Sequence, residues 1–224
     1  MVSLMMLEYE NTQIDLVPTK IVAVARNYRA HAEEMGSPVS EIPTFFLKPP
    51  SSLIGDNGVI ILPGISQRVD HEVELAVIMK DRCKKVSADK ALEFVMGYTV
   101  FIDVTARDLQ AEAKKKGLSW AVSKGFDTFA PIGPKIVPKE EIDPYDLDIW
   151  LKINDVYKQN GNTRDMLFSV GELISQISQV MTLEPMDIIA TGTPEGVGPI
   201  KDGDVIKAGI EGIGVLVITG KREK

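Results

Sequence analysis

Apolar and polar residues are arranged along this chain in short blocks, and most of the blocks predict β-strands. Residues 20–25 form a continuous apolar run after Lys20, the mark of a strand buried on both faces. Residues 43–50 predict a second strand, stopped by Pro49 and Pro50. Asp56-Asn57-Gly58 predicts a turn that leads into a strand at residues 59–62. Further strands are predicted at 95–103, 187–190, 205–208 and 215–219, and a hairpin at 148–154 and 156–159 that turns at Asn154-Asp155. Helical spacing recurs at 169–181, with Val170, Leu173, Ile174, Ile177 and Val180 apolar and Ser169 as N-cap. Residues 87–94 predict a shorter helix, capped by Ser87, with Leu92 and Val95 facing inward. No repeat or linker interrupts the pattern. The expectation is one α+β, strand-rich domain over residues 1–224.

The most informative block is 69–79, Val-Asp-His-Glu-Val-Glu-Leu-Ala-Val-Ile-Met. Taken as one strand, it puts Val69, His71, Val73 and Leu75 on one face and Asp70, Glu72 and Glu74 on the other. Three carboxylates in a row repel one another and lose hydration if buried. A hard divalent cation reverses that penalty, because it takes several anionic oxygen ligands. An edge strand whose acidic face meets water is the other reading.

Composition narrows the field. The 224 residues carry 25 basic and 32 acidic side chains, a net charge of -7, and the longest basic run is Lys114-Lys115-Lys116. Nucleic-acid binding is not expected without a basic footprint. Cys83 is the only cysteine, which excludes an internal disulfide and a cysteine-based zinc site. The first eight residues lack the basic flank and apolar length of a signal peptide, and no apolar run reaches the ~18–20 residues of a membrane span. A cytoplasmic protein without membrane partners is expected.

Several polar groups follow directly on apolar strands. Residues 26–36 predict a short helix ended by Gly36, with His31 and Glu34 three apart on one face. A solvated helix with an incidental histidine is the bland alternative. The charges and few apolar anchors of residues 26–35 predict low local stability. Asp103, Arg107 and Gln110 are spaced to share one helical stripe. Lys124 lies in a predicted loop around Gly125, where most lysines are surface charges. Residues 191–199, Thr-Gly-Thr-Pro-Glu-Gly-Val-Gly-Pro, form either a tight structural turn or a loop that lets a ligand approach main-chain amides and Thr193. Their glycine order matches neither a phosphate-binding loop nor a dinucleotide fingerprint.

Taken in order, Arg26-Asn-Tyr-x-x-His31-x-x-Glu34, His71-Glu-Val-Glu74-Leu-Ala, Asp103-Val-Thr-Ala-Arg107-Asp-Leu-Gln110, Ser123-Lys-Gly-Phe-Asp-Thr128 and Thr191-Gly-Thr-Pro-Glu-Gly-Val-Gly198 resemble the fumarylacetoacetate hydrolase family from about residue 20 to about residue 220. The resemblance implies a mixed β-sandwich roll, a homodimer, and one Mg²⁺ or Mn²⁺ (replaceable by Ca²⁺) on Glu72, Glu74 and Asp103. It implies a 2-oxo acid substrate that chelates the cation, and C–C hydrolysis of acylpyruvates through an enolate. Oxaloacetate decarboxylation lies close by. Isomerisation of 2-hydroxyhepta-2,4-diene-1,7-dioate, or decarboxylation in that pathway, is the runner-up, and a non-catalytic metal and 2-oxo acid binder a remote third. His31 would be the base, oriented by Glu34. Arg107, Gln110 and Lys124 would donate to the oxyanion, and Arg26, Gly192 and Thr193 would bind substrate. The resemblance also implies that residues 26–35 act as a lid.

Overall fold

The computed structural model describes residues 5–34, 36 and 41–224. The predicted helix at 26–36 therefore includes Met35, and the predicted leader-free start includes Met1 to Leu4, which lie outside the described residues. Among the described residues no helix is long and apolar enough to cross a membrane.

Strands dominate, and they form two large curled sheets joined by a small third one. The nine-stranded sheet runs Thr12–Leu16, Met5–Tyr9, Ala130–Pro138, Val95–Ile102, Val73–Met79, Ile188–Ala190, Ile21–Ala25, Thr44–Lys48, with Leu53–Ile54 pairing off Ala130–Pro138. The five-stranded sheet runs Val156–Asn162, Asp148–Ile153, Val205–Ile210, Gly214–Arg222, Val59–Leu62. Thr105–Ala106, Val69–His71 and Gly198–Pro199 make the three-stranded sheet.

Val73–Met79 is central and buried on both faces. Val73, Leu75, Val77 and Met79 point into the larger core with Val100, Ile102, Ile149, Leu151, Ile206 and Leu216. Ala76 and Ile78 point the other way, onto Ile21, Ala23, Phe101 and Ile188. Period-2 geometry thus explains why the run is apolar throughout except at Glu74, which shares the second face.

Helices seal the edges of this framework. Val170–Val180 carries the predicted Ser169 cap as a full capping box: Ser169 Oγ accepts from Glu172 N, and the Glu172 carboxylate accepts from Ser169 N. Leu173, Ile174 and Ile177 are buried on the larger core, whereas Val180 is 65% exposed, against expectation, because it falls at the last turn. Residues 87–94 are not a helix capped by Ser87. Only a 3₁₀ turn, Ala91–Phe94, forms there, and Val95 already belongs to the next strand. The predicted hairpin holds, with Asn154 and Asp155 at φ 49° and 64°, the left-handed pair that a two-residue turn requires.

Candidate active site

The predicted acidic strand is two strands. Val69–His71 pairs with Thr105–Ala106 and Gly198–Pro199, while Val73–Met79 pairs with Val95–Ile102 and Ile188–Ala190. The chain passes from one sheet to the other at Glu72. That break separates the three carboxylates. Asp70 stays with the small sheet, where Arg68 Nε and Arg107 Nε each donate to one of its oxygens at 2.8 Å. Glu72 and Glu74 instead converge with Asp103, which follows Val95–Ile102 and whose N–H donates to Glu72 O at 2.8 Å. All three are buried, and each offers an oxygen within 4.8 Å of the other two.

Cations surround two of the three. Lys124 Nζ donates to Glu72 Oε2 at 2.9 Å and also to Asp103 Oδ2. Lys48 Nζ donates to Asp103 Oδ1 at 2.6 Å and to Val104 O at 3.1 Å. Arg107 bonds Glu72 Oε1 and sends Nη1 to Gln110 Oε1 at 2.8 Å. Burial opposes charge on Glu72, but Lys124 and then Arg107 outweigh it and hold its pKa well below the ordinary value. Glu74 pairs with no cation among the described residues, and Lys124 helps it only weakly. Its Oε2 accepts from Gly192 N at 2.7 Å, while burial, then Asp103 and Glu72, push its pKa well above the ordinary value. An all-oxygen cluster with one uncompensated carboxylate fits a hard divalent cation, which these three residues could hold.

His31 lies in the helix Arg29–Glu34 and is buried. Its Nδ1 is 3.3 Å from Glu34 Oε2, and Glu34 in turn accepts from Gly196 N at 3.1–3.2 Å. An ionised Glu34 can only accept, which leaves the proton on His31 Nδ1 and the lone pair on Nε2. The segment is better anchored than its sequence suggests. Asn27 and Tyr28 are buried, the Asn27 side chain bonds Phe168 O, Thr191 O and Phe168 N, and Ala32 is fully buried. Asn27 Cβ also explains Gly192: at φ 97°, a Cβ there would lie 2.7 Å from it.

Three expectations about side-chain placement change. Asp103 is not on a helical stripe with Arg107 and Gln110, because the helix is Arg107–Lys116 and a short strand intervenes. The stripe that exists is Arg107, Gln110 and Lys114. Thr193 is positioned at the site, but its hydroxyl is committed to the framework: it donates to Val73 O at 2.8 Å and accepts from Gln159 Nε2 at 2.7 Å. Lys124 is on the short helix Ala121–Lys124 rather than a loop, and is buried.

One cavity of about 220 Å³ gathers His31, Arg26, Glu72, Glu74, Asp103, Arg107, Gln110, Lys124 and Thr193, with Phe46, Lys114 and Trp120 beside them. Glu34 and Gly192 reach it through His31 and Glu74. Lys48, Lys114 and Trp120 were not singled out in the sequence. Lys48 had a readable signal, a lone charge closing an apolar strand, which is the argument that singled out Asp103.

The family model described as "Fumarylacetoacetate (FAA) hydrolase C-terminal" matches residues 20–219. The chain belongs to this fumarylacetoacetate hydrolase family. Its family members include an uncharacterised Pyrococcus abyssi protein, 61% identical over 210 residues (94% of this chain, 93% of that one). "Oxaloacetate tautomerase FAHD1, mitochondrial" of Oryza sativa is 49% identical over 199 residues (87% and 86%). The solved fumarylpyruvate hydrolase of Pseudomonas aeruginosa, in complex with Mn²⁺ and pyruvate, superposes with a TM-score of 0.93 at 31% identity, covering 99% of this chain and 97% of that one. The fold is that of the fumarylacetoacetate hydrolase family, and its members include hydrolases, isomerases and oxaloacetate tautomerases.

Proposed function

We propose that this chain is a divalent-metal-dependent enzyme, a single catalytic domain, that acts on short 2-oxo acids carrying a second carboxylate, first of all on oxaloacetate, through their enolates. The observation that carries this reading is the buried Glu72–Glu74–Asp103 cluster opening on the same cavity as His31. Mg²⁺ or Mn²⁺ held there would supply Lewis acidity to the 2-oxo group and accept the charge of its enolate.

The protein's own groups account for the rest. His31 Nε2 carries a proton between the carbon beside the keto group and the enol oxygen, taking it from one and delivering it to the other, while Glu34 fixes the ring and stabilises the imidazolium. Lys124, Arg107 and Gln110 donate to substrate oxygens, and Gly192 and the Thr193 main chain line the carboxylate end. The preference for a second carboxylate rests on charge. The cavity is lined by Arg26, Arg107, Lys114 and Lys124 against Glu72, Glu74 and Asp103. Arg107 and Lys124 each pair with those carboxylates and keep a further N–H for substrate, whereas Arg26 and Lys114 pair with no carboxylate among the described residues. Arg26 is held at φ 59°, its Nε is buried without a partner, and Lys114 Nζ sits over the Trp120 ring at 5.2 Å. A left-handed non-glycine residue with an orphaned donor is what a ligand-binding arginine looks like before its ligand arrives. The volume also suits a small di-acid, being below the ~300 Å³ at which drug-sized pockets begin.

The His31–Glu34 pair favours one second reading, in which it activates water for C–C hydrolysis of an acylpyruvate. A panel of enol-oxaloacetate, an acylpyruvate and 2-hydroxyhepta-2,4-diene-1,7-dioate, each with Mg²⁺ and with EDTA, separates them. We expect turnover of oxaloacetate that EDTA abolishes, and a ~10²–10⁴-fold loss in His31→Ala with Mg²⁺ affinity kept. Turnover undiminished by EDTA, or by His31→Ala, would refute the mechanism. The homodimer implied by the family resemblance is tested separately by sedimentation.

A further inference from the structure

Gln159 bonds the strands on both sides of Glu72 and the Thr193–Pro194 loop, yet it lies outside the cavity. It belongs to the strand Val156–Asn162, whose other residues from 156 to 160 are exposed. A register shift in the pairing with Asp148–Ile153 leaves Lys158 without an opposite residue, and Gln159, directly beyond it, is turned inward and is 1% exposed. Its amide makes four hydrogen bonds. Oε1 accepts from Val73 N at 3.1 Å and faces His71 Nδ1 at 2.9 Å. Nε2 donates to Thr193 Oγ1 at 2.7 Å and to Pro194 O at 2.9 Å. A main-chain N–H can only donate and a carbonyl can only accept, so Val73 and Pro194 fix which end of the amide is which. His71 must therefore donate from Nδ1.

We infer that Gln159 is the positioning residue of the active site: it locks the chain break at Glu72 from both sides and ties it to the Thr193–Pro194 loop. Val73 N, on the far side of Glu72, loses its place in a continuous strand where the chain changes sheets, and Gln159 Oε1 supplies the missing acceptor. His71, on the near side, is held by the same oxygen, while Thr193 Oγ1 is held between Gln159 Nε2 and Val73 O. One side chain thus sets the distance between the carboxylates at Glu72 and Glu74 and the loop at Thr193. Gly196 shows how closely that loop is pressed on this strand: a Cβ there would meet Lys158 O at 2.1 Å. The inference rests on the 2-oxo acid reading for its ligand, and adds a residue that touches neither metal nor substrate.

The test is a double-mutant cycle read by calorimetric titration of oxalate, a stand-in for the enolate of a 2-oxo acid, into Mg²⁺-loaded protein. Gln159→Leu and Thr193→Val should each weaken oxalate by about tenfold, the worth of one lost hydrogen bond to a buried partner. The double variant should be no weaker than the worse single one within about twofold, because both act on one connection. The isosteric Gln159→Glu keeps the acceptor for Val73 and His71 but sets an oxygen against Pro194 O. It should also lose about tenfold, which covers the case in which Gln159→Leu does not fold. A readout that general destabilisation would not move is the ¹⁵N spectrum of His71: protonated at Nδ1 in wild type and in Gln159→Glu, altered in Gln159→Leu. Oxalate affinities within twofold of wild type in both Gln159 variants, or additive losses in the cycle, overturn the inference while leaving the 2-oxo acid reading intact. Failure of the wild type itself to bind oxalate with Mg²⁺ overturns that reading, and this inference with it.

Discussion

Glu74 and Asp103 belong to the same buried carboxylate cluster, but the protein treats them in opposite ways. Glu74 is buried beside two other carboxylates, with the Gly192 N–H and the more weakly felt Lys124 too little to offset its charge. Folding raises its pKa, so it costs nothing below its ordinary value of 4.5 and destabilises the metal-free protein increasingly as pH climbs through the folded value. Each unit of that shift costs about 1.4 kcal/mol once the group is ionised. Glu74→Gln should therefore raise the unfolding midpoint in EDTA, by a margin that grows as pH rises above 4.5, in a calorimetric pH series. A wild type more stable than the variant at every pH would show that Glu74 is not strained. Asp103 is the shared acceptor of two buried lysines, Lys48 and Lys124. A simple repulsion argument from the acidic sequence has its removal leave the fold intact or even firmer. The structure predicts the reverse: Asp103→Ala leaves the buried Lys48 without a carboxylate and Lys124 with Glu72 alone, and should cost about 3–5 kcal/mol in denaturant unfolding without metal. Equal stability of Asp103→Ala and wild type would contradict that pairing.

At the scale of elements, the site is made by a strand that changes sheets. Were residues 69–79 one strand, Asp70 would join Glu72 and Glu74 on a single face. The switch at Glu72 hands Asp70 to Arg68 and Arg107 and admits Asp103 in its place. Elements far from that switch should be separable from function. Ser169→Ala, which removes the capping box of Val170–Val180, should lose about 1 kcal/mol of stability while Mg²⁺ affinity stays at the wild-type value; a changed metal affinity would mean the helix carries more than packing. That helix, the turn at Asn154-Asp155 and most strands were legible because each is specified by neighbours in sequence: a cap three residues from its partner, a turn pair, an apolar run. The hairpin of Met5–Tyr9 with Thr12–Leu16 escaped because its alternation is weak. The sheet change at Glu72 was not legible, since a period of two continues unbroken through it. Nor was Gln159, whose partner Thr193 lies 34 residues away; Lys48 carried a signal at the end of its strand, but its pairing with Asp103, 55 residues on, did not. The acidic pattern pointed to the right stretch, and the family resemblance supplied Asp103 in place of Asp70.

For the molecule as a whole, a cation bound only by the folded state is a source of stability. Because the carboxylates meet only after the two sheets have formed around Val73–Met79, Mg²⁺ should raise the unfolding midpoint in a concentration-dependent way, contributing about 2.7 kcal/mol at a hundred times its dissociation constant. It should do so least in variants that lack a ligand. Function on this reading requires that Glu72, Glu74 and Asp103 hold a cation that then recruits a 2-oxo acid. The direct measurement is isothermal titration of EDTA-stripped protein, first with Mg²⁺ and then with oxalate, in wild type and in Glu74→Gln. The prediction is one Mg²⁺ per chain, oxalate binding only after Mg²⁺, and Mg²⁺ affinity lowered by at least about tenfold in Glu74→Gln, the equivalent of roughly 1.4 kcal/mol. Unchanged Mg²⁺ affinity in the variant, or oxalate binding as tightly in EDTA as in Mg²⁺, would contradict it.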